Sequence, residues 1–148
     1  MKKRILIMGE DPILLEALYE TLSYYKFSVR ITTDTVNILR TIRTFGPDLF
    51  LLDLNIYDKK RRSMCSQLRS DVRIKELPII ITSSYNKLIE KSGEFEFAEI
   101  VAKPFDLSDL LERIKTITAN SSLSNRIKNF WPNSKEIKTK SQNSIALV

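Results

Sequence analysis

A chain of 148 residues, 43% hydrophobic and 28% charged, has the size and composition of one folded domain with its own apolar core. It has no histidine, which excludes His-based catalysis and His-ligated metals. Its one cysteine, Cys65, excludes an intrachain disulfide and fits a reducing compartment. The net charge of +6 sits mainly in the tail, where Arg126, Lys128, Lys135, Lys138 and Lys140 face Glu136 alone. The body is close to neutral, so nucleic acid is not an expected partner of the folded part.

No apolar run approaches the roughly 18 residues of a membrane span. The basic start, Met1-Lys2-Lys3-Arg4, is followed by too short an apolar stretch for an export signal. A cytoplasmic protein with no membrane partner is expected.

In chain order, Ile5–Met8 reads as a short buried strand. Asp11 caps a helix that opens at Pro12 and carries Ile13, Leu14, Ala17, Leu18 and Leu22 at helical spacing. Phe27–Ile31 is a second strand. Asp34 caps a second helix, with Val36, Leu39 and Ile42, which stops at Gly46-Pro47. Leu49–Leu52 is a third strand, apolar throughout. Lys59-Lys60-Arg61-Arg62, expected as a solvated basic loop, leads into a helix through Met64 and Leu68 to about Arg69. Pro78 opens a fourth strand, Ile79–Thr82. Residues 85–97 suggest a short helix broken at Gly93. Ala98–Ala102 is a weaker fifth strand. Asp106 or Ser108 caps a last helix with Leu110, Leu111, Ile114 and Ile117 on one face. The domain is expected to span 1–120. Residues 121–148 are expected as a basic polar tail, with no separate output domain.

Apolar strands alternating with helices predict a parallel sheet covered on both faces, an α/β (βα)5 sandwich. Ligands in such folds bind at the carboxyl ends of the strands. Those ends carry Gly9-Glu10-Asp11, Asp53, Ser83-Ser84 and Lys103-Pro104. Grouped carboxylates with no His or thiolate beside them suit Mg²⁺, and a lysine and a hydroxyl opposite suit phosphoryl oxygens. A carboxylate can itself be the nucleophile. The residues point to an aspartate that takes a phosphoryl group with Mg²⁺.

Five segments in order carry a resemblance: ILIMGEDP (5–12), PDLFLLDLN (47–55), LRSD (68–71), LPIIITSS (77–84) and AKPF (102–105). From Arg4 to about Thr118 the chain resembles the receiver domain of two-component response regulators, flavodoxin-like with sheet order 2-1-3-4-5. The resemblance implies that Asp53 is the phosphoacceptor, that Ser83 is the hydroxyl that moves onto the phosphate, and that Lys103 pairs with it across a cis Lys103–Pro104 bond. It implies Mg²⁺ held by Glu10, Asp53 and the Asn55 backbone carbonyl, with Asp11 as a substitute ligand or as the helix cap. It implies a sensor histidine kinase or histidine phosphotransfer protein as partner, an unknown downstream protein, and room for a homodimer. The domain is then a signalling switch and not an enzyme, beyond self-phosphorylation from small phosphodonors and autodephosphorylation.

The departures set up a rival. Gly9 stands where the family has its first acid, which weakens the metal site. The turn after Asp53 lacks the usual proline and glycine, and Ile100 replaces the aromatic switch residue. A degenerate receiver that binds a partner without phosphate is the alternative.

Overall fold

The computed structural model describes residues 2–55 and 57–130, the last ten as backbone alone. Most of the expected basic polar tail, from Trp131 on, lies outside the described residues. Five strands and five helices alternate: β1 (Arg4–Met8), α1 (Pro12–Tyr24), β2 (Ser28–Thr32), α2 (Ile38–Phe45), β3 (Leu49–Asp53), α3 (Lys59–Ser70), β4 (Ile79–Ser83), α4 (Asn86–Ser92), β5 (Glu99–Ala102) and α5 (Leu107–Phe130). The chain divides into two compact units, one ending at Phe105 and one starting at Asp106. All strands pair in parallel, in the order β2-β1-β3-β4-β5. This is the flavodoxin-like order expected from the sequence.

The sheet is apolar because its central strands are covered on both faces. Ile5–Met8, Leu49–Leu52 and Ile79–Ser83 are buried throughout. Alternation sends Leu6, Met8, Phe50, Leu52, Ile79 and Ile81 to one face, where they meet α2, α3 and α4 through Ile38, Ile42, Met64, Cys65, Leu68 and Ile89. Ile5, Ile7, Leu49, Leu51 and Ile80 are buried on the other. There α1 brings Leu18 and Leu22, one helical turn apart.

Local chemistry sets the element ends. Asp11 accepts from the N–H groups of Ile13 and Leu14 at 3.0 and 3.4 Å, and Pro12 occupies the first turn. Gly46 closes α2 at φ 64°, where a Cβ is unfavourable. Two expectations move. Asp34 does not cap α2; it accepts from Val36 and Asn37 in the turn before it, and Asn37 is the cap residue. Short acidic side chains serve turns as readily as caps, so the sequence signal came three residues early. Ile13 and Val36, read as core, are 81% and 84% exposed, because each lies off the buried phase of its segment.

The second unit is described by itself. Asp106 accepts from the N–H and hydroxyl of Ser108 at the start of α5. Those hydrogen bonds, the side-chain one first, hold its carboxyl below the usual value. Leu110, Leu111, Ile114 and Ile117 are buried, as their spacing predicts. The helix runs on to Phe130, past the expected boundary at 120.

Among the described residues, no helix is long and apolar enough to cross a membrane. Cys65 is 2% exposed, and burial pushes its thiol up to about 12, so it behaves as a small core side chain.

Candidate functional site

The carboxyl ends of β3, β4 and β5 bring three side chains together. Asp53 is the last residue of β3 and sits opposite Thr82 in the parallel register. Register partners point to the same face, so the Thr82 hydroxyl donates to Asp53 Oδ1 at 2.8 Å. Lys103 Nζ donates to the same oxygen at 3.0 Å. The lysine is held there by its own backbone, whose N–H bonds the Ser83 carbonyl at 2.9 Å, and the Lys103–Pro104 bond is cis. The pair is half-sheltered, with side-chain exposures of 27% for Lys103 and 14% for Asp53, where a charge-assisted bond outweighs its surface counterpart.

Ser83 is buried and points the other way. Its Oγ accepts from the Tyr85 N–H at 3.0 Å rather than meeting Asp53. Thr82 is therefore the hydroxyl at the carboxylate, a residue that motif reading passes over. Only the β3–β4 register reveals it, and a single strand does not carry its partner's register.

Gly9 is buried where the first strand leaves the sheet. A Cβ on it would lie 3.0 Å from Asp53 Cβ and 3.2 Å from Leu15 Cδ2. The glycine therefore allows the chain to pass close to Asp53, and the same contact disfavours an acid at that position.

Glu10 takes a different partner from the one its place on the rim implies. Its Oε1 accepts from Arg61 Nη1 at 2.7 Å. Arg61 also pairs with Asp58, the N-cap of α3. The expected solvated loop is in fact the first turn of α3. Arg61 is buried because it falls in phase with Met64, Cys65 and Leu68, the core face of that helix. Burial works against the Asp58 carboxylate, but the Arg61 N–H and guanidinium outweigh it and hold its pKa below the usual value. Burial likewise disfavours the guanidinium charge, and Glu10 and Asp58 overcome it to raise the Arg61 pKa. Arg62, next along, reaches Glu94 at 2.6 Å.

The other expected metal ligands are also engaged. Asp11 caps α1. The Asn55 carbonyl accepts from the Asp58 N–H at 2.8 Å, and its side chain accepts from the Tyr57 N–H at 3.0 Å. Tyr57 and Tyr85, on the loops after β3 and β4, stack edge to face with centroids 5.3 Å apart. Among the described residues no three acidic or thiol side chains group as metal ligands. The donor set as placed does not fit Mg²⁺: the bonds from Lys103 and Thr82 both fall on Asp53 Oδ1 and leave its Oδ2, but Glu10 is held by Arg61 and position 9 offers no oxygen.

Asp11→Ala tests the cap: its loss is expected to cost about 1 kcal/mol of stability, measured by urea unfolding.

Residues 5–115 match the family described as response regulator receiver domain. The response regulator MprA of Mycobacterium ulcerans is 28% identical over 125 residues, covering 83% of this chain and 53% of that protein. The DNA-binding dual master transcriptional regulator RpaA of Synechocystis is 25% identical over 116 residues, covering 77% of this chain and 48% of RpaA. The chain thus spans about half the length of the curated relatives it matches. A CheY-like response regulator receiver domain protein from Methanospirillum hungatei superposes with a TM-score of 0.69 at 22% identity, over 82% of this chain and 98% of that one, which shows the shared fold. This chain belongs to the response regulator receiver domain family, the signalling domains of two-component systems.

Proposed function

We propose that Asp53 takes a phosphoryl group from the phosphohistidine of a sensor histidine kinase or histidine phosphotransfer protein, and that the loaded receiver signals through protein contacts. The observation that supports this is the meeting of Asp53, Lys103 and Thr82 at the ends of three adjacent strands. One Asp53 oxygen attacks phosphorus, the phosphorus–nitrogen bond breaks, and the imidazole leaves as it gains a proton. An acyl phosphate remains. Lys103 and Thr82, which hold Oδ1 at rest, face the charge that spreads over the phosphoryl oxygens in the transition state. Ser83 turns its hydroxyl from Tyr85 to the phosphoryl group in the loaded state. That new bond biases the β4–α4 loop, a population shift set by differential binding.

Receiver domains typically bind Mg²⁺ at the phosphorylation site; here Glu10 is committed to Arg61. That commitment favours the second reading, a module that binds its partner constitutively. Intact mass after incubation with acetyl phosphate, with and without Mg²⁺, decides between them. A single adduct, lost completely in Asp53→Asn, supports the phosphoacceptor. A folded chain that takes no adduct, from acetyl phosphate or from a phosphorylated phosphotransfer protein, supports the constitutive module.

A further inference from the structure

Carboxylates gathered on one rim repel each other unless a cation lies among them. In this chain two side chains supply that charge. Lys103 lies on Asp53, and Arg61 lies between Glu10 and Asp58. Arg61 is only 6% exposed, and a guanidinium stays charged under all ordinary conditions. Both of its contacts run through Nη1, and its Nε is buried with no hydrogen-bond partner. Here the donors are incompletely used, while the charge is placed on Glu10. Glu10 itself is 71% exposed at its side chain, so packing does not force it to that position. Gly9, meanwhile, removes the neighbouring acid that would otherwise offer a second oxygen to a metal.

We propose that Arg61 is the resident counter-ion of Glu10 and withdraws it from metal binding, so that the rim carries its own cation where a divalent ion would otherwise sit. The inference goes beyond the phosphoacceptor reading and holds whether or not Asp53 is phosphorylated. Its test uses metal alone, without phosphodonor, so that failure of one is distinct from failure of the other.

The experiment titrates the full chain with Mn²⁺ in phosphate-free buffer and follows free Mn²⁺ by electron paramagnetic resonance. Arg61→Met is expected to bind Mn²⁺ about tenfold or more tightly than the unaltered chain, the scale on which groups around a metal site act. Adding Glu10→Gln to Arg61→Met is expected to return the affinity to its starting value. Arg62→Met removes the same charge one residue away and controls for net charge; its affinity is expected to stay within about twofold. Thermal melting checks that Arg61→Met folds. If it does not, Glu10→Gln alone decides, since Glu10 is exposed and its replacement leaves the core intact. An affinity within about twofold of the unaltered chain supports the proposal, because Glu10 is then already withdrawn. A tenfold loss in Glu10→Gln overturns it, as does a folded Arg61→Met with no gain, or a gain that survives the addition of Glu10→Gln.

Discussion

Lys103→Met is expected to slow phosphoryl uptake at Asp53 by roughly 10²-fold. The ammonium sits 3.0 Å from Asp53 Oδ1 in a half-sheltered site, where a fixed donor facing developing charge has its largest effect. Methionine keeps much of the stem's length and apolar character but removes the charge. Thr82 still orients the carboxylate at 2.8 Å, so the loss falls on the electrostatics of the transfer and not on the placement of the nucleophile. The measurement is the rate of adduct formation by intact mass at fixed acetyl phosphate concentration. An unchanged rate would mean that Lys103 is a surface lysine resting on an acid, and the phosphoacceptor reading would lose its main support.

Phe50→Ala is expected to cost about 3–5 kcal/mol, a fall in Tm on the order of 10 °C for a domain of this size. Phe50 is fully buried and lies mid-sheet, opposite Leu6 on β1 and Ile79 on β4. It is one of the largest side chains in the core. Its removal leaves a cavity that three hydrogen-bonded strands cannot collapse to fill. Ile13→Ala is the contrast. Sequence reading places Ile13 on the core face of α1, yet it is 81% exposed, and its loss is expected to stay within about 0.5 kcal/mol. Chemical denaturation of the two variants at equal slope checks both.

Much of the site's outline was legible in the chain because strand ends announce themselves. A run of apolar residues that stops at an acid, a hydroxyl pair or a lysine marks the rim of a parallel sheet, and Asp53 and Lys103 were found that way. Cap chemistry is equally local, and Asp11 before Pro12 needed no tertiary information. Asp34 shows the limit of such signals, since a turn and a cap use the same side-chain geometry. Arg61 was legible in principle. Its spacing from Met64, Cys65 and Leu68 places it on the buried face of α3, but a charge within a basic run reads as solvated.

The sequence by itself determined the alternation of strands and helices, the apolar central strands, the glycine stops and the identity of the acid and lysine at the rim. All of these depend on residues near one another in the chain. Which hydroxyl meets Asp53, and which charge meets Glu10, only the tertiary structure decided. Thr82 reaches the carboxylate because β3 and β4 pair in one register, and a shift of one residue would have presented Ser83 instead. Arg61 reaches Glu10 across 51 positions of sequence. The physical reason is the same in both cases. A short-range interaction between residues distant in the chain is fixed by how whole elements pack, and no local pattern carries that information.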